Sequence, residues 1–241
     1  MSDIEYQKKL HSGTYVEMYE NKPISRIERL VPFLPLTGNE ELADFACGNA
    51  MLLPLIHNRV AHYHGVDFSE DFIKAAKQRA SKHSIENCSF YCEDIVTFCN
   101  ANVDRFDIAT AFDFSEHVDD DDFVTIFSAV RRSLKTGGRL FLHTPNLDFF
   151  IERLKDKGIM KQFPEHIAVR TADENVALLG RSGFARNSIV VNGIAHYESL
   201  RLLHPLRHLP IAGRMFVARL FIECRKEKAE ASALDKAEES A

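Results

Sequence analysis

The stretch Asp44-Phe-Ala-Cys-Gly-Asn-Ala50 ends a short apolar run and places small residues directly after an acidic one. Asp67, 23 residues after Asp44, ends a second apolar run that covers residues 62–66. In open parallel sheets, ligands bind beyond the carboxyl ends of the strands, where small residues let the backbone come close. The two acids therefore predict a ligand site at the tips of two neighbouring strands.

The ligand that suits this pair of acids has an amine and a ribose diol. A carboxylate such as that of Asp67 can accept hydrogen bonds from two ribose hydroxyls. The turn lacks the three-glycine fingerprint that brings a pyrophosphate onto a helix N-terminus. The residues thus favour S-adenosylmethionine over NAD. An ordinary strand-to-helix turn, with Asp67 capping the helix that Ser69 opens, is the structural alternative, and a nucleotide-dependent oxidoreductase is the enzymatic one.

A third strand-end acid agrees with this interpretation. Asp94, in Tyr91-Cys-Glu-Asp-Ile95, follows a predicted strand and could accept a hydrogen bond from an adenine amino group. Taken alone, an acid in this position is common.

Length and charge restrict the classes of protein that the chain can represent. With 241 residues, of which 45% are hydrophobic, the chain can bury one substantial core. Its net charge of -5 is the opposite of the basic surface expected of a nucleic-acid-binding protein, and the Asp/Asn-Pro-Pro-aromatic loop of nucleic-acid methylating enzymes is missing. We therefore expect no nucleic-acid partner.

The N-terminus and the cysteines indicate the cellular compartment in which the protein is expected. No apolar signal core begins the chain, and no run approaches the roughly 18 apolar residues that cross a bilayer, so we expect a soluble, cytoplasmic protein. The five cysteines are an odd number without a CxxC pair, which predicts reduced thiols and no zinc site.

From residue 40 onward, short apolar runs alternate with helical periodicity, the pattern of a parallel sheet wrapped by helices. We expect an N-terminal helical cap over residues 1–36, a main domain over 37–225 and a flexible charged tail over 226–241. The predicted helices are 51–58, 69–84, 121–134 and 172–182. The seven predicted strands are 41–45, 63–67, 89–92, 106–112, 138–144, 188–192 and 216–224.

Two further stretches carry a family resemblance. Phe106-Asp-Ile-Ala-Thr-Ala-Phe-Asp-Phe-Ser-Glu-His-Val118 and Gly137-Gly-Arg-Leu-Phe-Leu-His-Thr-Pro-Asn146 resemble the class I S-adenosylmethionine-dependent methyltransferases. The likeness runs from about Val31 to Arg225 and is greatest to the small-molecule O-methyltransferase branch that includes the ubiquinone-biosynthesis enzymes. It implies an α/β fold with a doubly wound, Rossmann-like sheet of seven strands, the last of them antiparallel.

The resemblance also implies roles in donor binding. The chain departs from the family pattern at Ala46 and Ala50, where glycines are common, and Ala50 is expected to narrow the approach to the donor. The implied donor residues are Asp44 near the methionine amine, Ala46, Cys47 and Gly48 along the turn, Asp67 at the ribose, Asp94 and Ile95 at the adenine, and Phe68 and Phe112 as apolar walls.

Two histidines are candidates for the base that removes a proton from a hydroxyl acceptor. His117 follows the fourth strand on the donor side, and His166 lies in the insert after the fifth strand; a turn histidine is the structural alternative for His117. The acidic run Asp119–Asp122 is predicted to stabilise a helix start. We expect no metal, although Asp113 and Asn146 could supply two ligands in a divalent-metal enzyme.

The insert 147–170 and the segment 197–214 are expected to cover the acceptor pocket. The second contains Arg201, Arg207 and Arg214 among leucines and histidines, so it could contact an anionic glycan, a lipid carrier or a membrane surface, or simply cover the core. The predicted function is methylation of a small-molecule or glycan acceptor at a hydroxyl oxygen, with S-adenosylhomocysteine as product. An N-methyltransferase acting on an amino sugar or small amine, or an inactive adenosyl-binding protein, are the alternatives.

Overall fold

A seven-stranded sheet forms the centre of the molecule in the computed structural model, which describes residue 19 and residues 22–161, 166–196 and 199–228. The strands are β1 Glu41–Phe45, β2 His62–Asp67, β3 Cys88–Cys92, β4 Phe106–Phe112, β5 Leu134–Pro145, β6 Ile189–Ile194 and β7 Arg219–Arg225. Their order in the sheet is β3-β2-β1-β4-β5-β7-β6.

The direction of the strands confirms the predicted fold class. Strands β1 to β5 pair in parallel, and β7 runs antiparallel to both β5 and β6. The chain thus forms the doubly wound, Rossmann-like sheet with an antiparallel last strand that the family resemblance implies. Because β1 and β2 are parallel neighbours, their carboxyl ends meet at the same edge of the sheet.

Helices fill the connections between the strands. The helices are α1 Ser25–Glu28, α2 Leu53–Ile56, α3 Glu70–Lys82, α4 Ile95–Ala101, α5 Asp120–Ser133, α6 Phe150–Asp156 and α7 Ala172–Arg181, and the 3-10 segments are Val31–Phe33, His57–Arg59, Ser115–His117, Arg186–Ser188, Ser199–His208 and Gly213–Phe216. Three of the four predicted helices match α3, α5 and α7 to within a few residues, whereas the first is shortened to α2. The sequence interpretation missed α4 and α6.

Side-chain caps fix where the long helices begin. Ser69 accepts a hydrogen bond from the backbone N–H of Phe72 at the start of α3, and Thr171 forms a capping box with Glu174 at the start of α7. Asp119 accepts from the N–H groups of Asp121 and Asp122 at 3.0 and 2.9 Å. The acidic run therefore stabilises the start of α5, as predicted.

The sheet buries apolar side chains on both faces. Ala43 and Phe45 pack on one side with Phe98 of α4, whereas Leu42 packs on the other side with Leu53 of α2. Successive side chains of a strand point to opposite faces, so the unbroken apolar run of β1 fills two cores at once.

Strand β5 begins earlier than predicted. Its first residue is Leu134 rather than Gly138, so Gly137 and Gly138 both lie within the strand. Gly137 has a φ of +84°, and a Cβ on Gly138 would lie 3.0 Å from the carbonyl oxygen of Phe106. The glycines therefore permit an irregular strand that pairs with β4 through a register shift.

Some predictions concern residues that the structure does not describe. The described part of the predicted N-terminal cap contains α1 and the 3-10 turn Val31–Phe33. Residues 1–18 and 20–21 of that cap, and residues 229–241 of the predicted tail, lie outside the residues that the structure describes. The domain boundaries stay predictions. None of the helices formed by the described residues has both the length and the apolar character needed to cross a membrane. All five cysteines are unbridged.

The turn after β1 holds two alanines in the left-handed region. Ala46 and Ala50 have φ values of +51° and +54°, close to the +53° of Gly48 between them. An L-residue in this region costs about 1 kcal/mol or more because its Cβ crowds the following carbonyl oxygen. The backbone therefore adopts a glycine-type conformation at two positions of this turn that are occupied by alanine.

Replacing Ala46 by glycine should therefore stabilise the protein. Ala46 is only half-buried, so little apolar contact is lost, and we expect Ala46→Gly to raise the free energy of unfolding by about 1 kcal/mol. Urea unfolding measures this difference. Ala101→Gly, at the exposed end of α4, is the matched control and should lower the free energy of unfolding by up to about 1 kcal/mol. A loss of stability in both variants would contradict the strain at Ala46.

Candidate functional site

The carboxylate of Asp67 joins the turn after β1 to the start of α3. The backbone N–H of Gly48 donates to Asp67 Oδ2 at 3.0 Å, and the N–H of Ser69 donates to Asp67 Oδ1 at 2.9 Å. The N–H of Cys47 donates to the carbonyl oxygen of Val66 at 3.1 Å. The small-residue turn and the tip of β2 therefore form one structure, as expected for neighbouring parallel strands.

Asp44 lies beneath this turn in a buried hydrogen-bonded group. Its carboxylate accepts from the hydroxyl of Tyr63 at 2.6 Å and from the hydroxyl of Thr110 at 2.6 Å. Burial raises the pKa of Asp44 to about 6, against the effect of these two hydrogen bonds. Asp44 thus ties β1 to β2 and β4, and it does not line the cavity described next.

A cavity of about 110 Å³ opens beside the turn. Of the predicted site residues, Ala46, Gly48, Asp67, Phe68 and His117 line it. A larger, shallow groove of about 600 Å³ lies along α3 and Cys92, and none of the predicted site residues lines that groove. The small cavity is therefore the candidate site. Its other walls are Tyr19, Phe72, Asp113, Phe114 and Val118.

The remaining predicted donor residues lie elsewhere. Asp94 caps α4 by accepting from the N–H of Thr97 at 2.9 Å, and Ile95 is buried in the core behind it. Phe112 packs against Phe221 with ring centroids 6.0 Å apart, and Cys47 is buried beneath the turn. None of the four lines the cavity, so their contact with a donor stays a prediction.

Asp113 is the centre of a buried charge cluster next to the cavity. Arg219 and His143 donate to its Oδ1 at 2.7 and 2.8 Å, and Arg26 donates to its Oδ2. Although burial favours the neutral acid, the charges of Arg219, His143 and Arg26 hold the pKa of Asp113 well below its usual range. The two arginines thus balance the negative charge of Asp113, the residue that the sequence suggested as a possible metal ligand.

Asn146, the other residue considered for a metal site, is also engaged. Its side-chain amide donates to the carbonyl oxygen of Val217 at 2.9 Å, and its side-chain oxygen accepts from the N–H of Asp148 at 3.2 Å. Asn146 therefore fixes the backbone after β5.

Glu116, His117 and His166 form a second titratable group. One side-chain oxygen or nitrogen from each lies within 4.8 Å of the others, and the rings of His117 and His166 meet edge to face with centroids 5.2 Å apart. Two imidazoles and a carboxylate at this spacing could hold a divalent cation or pass a proton. The expectation of no metal stays a prediction.

The protonation states of this group differ from those in water. Burial and the charge of Asp113 raise the pKa of Glu116 to about 7, and Thr144 donates a hydrogen bond to its carboxylate at 3.1 Å. Burial, together with His117 and Arg219, lowers the pKa of His166 to about 3. His166 is thus neutral at neutral pH, and Glu116 is poised between its two forms.

Sequence reasoning named Asp113 only as a possible metal ligand, and it missed Glu116 as part of the site. Both lie in the stretch 106–118, where Glu116 directly precedes a candidate base and Asp113 directly follows β4. The position of Asp113 at a strand tip is the same signal that selected Asp67, so its place on the wall of the cavity could also have been predicted. The partners Arg26 and Arg219 have no local signal.

The comparisons with known proteins agree on one family. A family model described as a methyltransferase domain matches residues 36–189. The ubiquinone biosynthesis O-methyltransferase of Coxiella burnetii is 32% identical over 124 residues, which cover 52% of this chain and 51% of that protein. This chain thus spans about half the length of the curated relatives it matches.

Solved structures show the same fold. An S-adenosylmethionine-dependent methyltransferase from Mesorhizobium loti matches with a TM-score of 0.59 and 19% identity, covering 83% of this chain and 97% of that chain. Geranyl diphosphate C-methyltransferase from Streptomyces coelicolor, solved with Mg²⁺, geranyl diphosphate and S-adenosyl-L-homocysteine, matches with a TM-score of 0.58 and 16% identity, covering 85% and 79% of the two chains.

Glu116 predicts a pH-dependent loss of stability. A raised pKa in the folded state means that the unfolded chain ionises first, so the cost is absent below the ordinary value of 4.5 and is complete above about 7. Glutamine does not ionise. The free energy of unfolding of Glu116→Gln, relative to the unaltered protein, should therefore rise between about pH 5 and about pH 8 by up to about 3 kcal/mol. Urea unfolding across this range measures the difference, and a constant difference would contradict the raised pKa.

Proposed function

Because the chain belongs to the methyltransferase domain family, the class I S-adenosylmethionine-dependent methyltransferases, we propose that it methylates a hydroxyl oxygen of a small-molecule or glycan acceptor. S-adenosylmethionine supplies an electrophilic methyl group when bound, and S-adenosylhomocysteine is the second product. The observation that carries the proposal is that Gly48, Asp67 and His117 line the same cavity.

The residues around the cavity suit an adenosyl donor. The two Asp67 oxygens accept backbone hydrogen bonds from Gly48 and Ser69, which aim the carboxylate, and a carboxylate is also the group that accepts hydrogen bonds from ribose hydroxyls. Phe68 supplies an apolar wall. At about 110 Å³ the cavity is smaller than the roughly 300 Å³ of a typical ligand pocket. We therefore expect the wall formed by Tyr19 to move when the donor binds.

The two histidines suit the removal of a hydroxyl proton. A hydroxyl becomes a good nucleophile when a base takes its proton, and His117 lines the cavity with His166 beside it. His166 is neutral at neutral pH and can accept a proton, but its low pKa means that it would hold the proton only weakly. His117 is therefore the better candidate, and an ionised Glu116 would stabilise the imidazolium that forms.

The choice of oxygen and of acceptor rests on the relatives. The curated relatives carry the name ubiquinone biosynthesis O-methyltransferase, which supports a phenolic hydroxyl on a quinol precursor as the first acceptor to try. Deoxysugar nucleotides and lipid-linked glycans follow. Transfer to the nitrogen of an amino sugar or small amine would show in the same screen with labelled donor, and binding of donor without any methylated product would indicate an inactive adenosyl-binding protein.

Asp67→Ala should weaken donor binding more than tenfold. The substitution removes the acceptor for the ribose hydroxyls and also releases the N–H of Gly48, so the turn loses its support. Titration with S-adenosylhomocysteine in a calorimeter measures the Kd. Asp173→Ala, in the exposed first turn of α7, is the control and should leave the Kd unchanged. An unchanged Kd in Asp67→Ala would remove Asp67 from the donor site.

His117→Ala should lower kcat by about a hundredfold or more while sparing donor affinity, because general-base catalysis contributes about 10²–10⁴. His166→Ala should have the smaller effect, and His83→Ala, at an exposed position, is the control. The measurements are kcat with the acceptor found in the screen and the Kd for S-adenosylhomocysteine.

Treatment with a chelator distinguishes the two roles that Glu116, His117 and His166 could have, proton transfer and binding of a divalent cation. If His117 acts as the base, activity persists after treatment with EDTA. Full turnover in His117→Ala, or activity that EDTA abolishes and a divalent cation restores, would contradict the base assignment.

A further inference from the structure

We propose that residues 199–216, here called the basic cap, form a docking surface for an anionic lipid bilayer. The basic cap consists of the 3-10 helices Ser199–His208 and Gly213–Phe216 with the turn 209–212 between them. The proposal rests on exposure and charge in this segment, and it does not depend on the reaction that the cavity performs.

The basic cap presents apolar side chains to the solvent. Ile211 is 97% exposed and Leu202 is 76% exposed, and Leu206, Leu209 and Met215 are also exposed. Single exposed leucines are common, but five large apolar side chains exposed within one short segment indicate a surface that binds a partner.

The turn that carries Ile211 is held in place. The N–H of Gly213 donates to the carbonyl oxygen of Leu209 at 3.0 Å, and a Cβ on Gly213 would lie 2.1 Å from the carbonyl oxygen of Arg207. Ile211 itself has a φ of +64°, a conformation that β-branched residues rarely adopt. The backbone thus holds an apolar side chain outward in a strained conformation, which no contact within the described part of the protein explains.

The charge of the basic cap complements an anionic surface. Arg201, Arg207 and Arg214 are exposed, and residues 199–222 contain no Asp or Glu, although the whole chain has a net charge of -5. Within the part of the chain that the structure describes, none of these three arginines forms an ion pair. Arginines interspersed with exposed leucines are the composition of segments that lie on anionic bilayers.

The opposite side of the basic cap attaches it to the protein. Gly213 is buried, and Phe216 lies 6.3 Å from Phe150 of α6 between ring centroids. Arg207, although exposed, also reaches the carbonyl oxygen of Gly193 in β6 at 3.4 Å. A mere cover for the core would need only these inward contacts. They leave the outward Leu202 and Ile211 without a structural role.

The basic cap lies at the edge of the sheet that holds the cavity. It ends three residues before Arg219, the first residue of β7, which donates to Asp113 on the cavity wall. Ile159 and Ile167, in the insert after β5, are also exposed. Docking through the basic cap would therefore place this edge of the sheet toward the bilayer.

A second copy of the chain suits this surface less well than lipid. In a two-fold symmetric dimer the same patch occurs on both sides of the interface, which would therefore collect six arginines and no acidic residue from the two copies of the basic cap. Like charges brought together in an interface cost affinity. Anionic headgroups satisfy the arginines and accommodate the apolar side chains at the same time.

Vesicle co-sedimentation of the full chain tests the proposal. We expect binding to phosphatidylcholine vesicles that contain about 30% phosphatidylglycerol, much weaker binding to pure phosphatidylcholine, and a decline in binding as salt increases. Ile211→Asp should weaken binding at least about tenfold, and Arg201→Gln and Arg214→Gln should each weaken it by about fivefold.

The matched controls are Val103→Asp and Arg186→Gln, exposed positions outside the basic cap, which should leave vesicle binding unchanged. Circular dichroism and thermal melts establish that every variant is folded. Failure to sediment with anionic vesicles, or equal binding by Ile211→Asp, overturns the proposal. A concentration-dependent dimer that Ile211→Asp dissociates, without vesicle binding, would instead assign the surface to a second copy. None of these results depends on donor binding or turnover.

Discussion

The carboxylate of Asp113 is the interaction on which the candidate site depends, because four separate parts of the chain meet there. Asp113 follows β4, Arg26 comes from α1, His143 from β5 and Arg219 from β7. A buried carboxylate is costly unless it is paired, and removal of the acid would leave two guanidinium groups close together without a balancing charge. The geometry at the end of β4 is therefore fixed by charge as well as by strand pairing.

This cluster also sets the chemistry beside it. The negative charge of Asp113 adds to burial in raising the pKa of Glu116, and the positive charge of Arg219 adds to burial in lowering the pKa of His166. Arg26, which pairs with Asp113, has its guanidinium carbon 5.9 Å from the ring of Tyr19. Tyr19 on the cavity wall is thus connected to the same carboxylate as the groups that would exchange a proton.

The fold could be predicted from the sequence where interactions between neighbouring residues determine the structure. Buried parallel strands are continuous apolar runs, and α3 and α5 begin at residues that cap a helix, so their positions follow from a few neighbouring residues. Asp94 shows the limit: an acid after a strand suits both a ligand contact and a helix cap, and the structure places it as the cap of α4. Asp67 and His117 could be selected from the sequence because they lie at or shortly after the ends of predicted strands. The pairing of Asp113 with Arg26 and Arg219 could not be predicted, because 87 and 106 residues separate these partners in the sequence.

At this edge of the sheet, the buried charges are paired, whereas the exposed arginines of the basic cap form no ion pair with the residues that the structure describes. Inside, two arginines and a histidine surround one acid, because an unbalanced charge would destabilise the folded state. Outside, the three arginines of the basic cap have no acidic residue within their segment. Exposed ion pairs stabilise a fold by only about 0–1 kcal/mol, so folding neither requires nor forbids such partners. An uncompensated cluster of arginines beside a strained, exposed Ile211 is therefore better explained by what the surface contacts than by the stability of the fold.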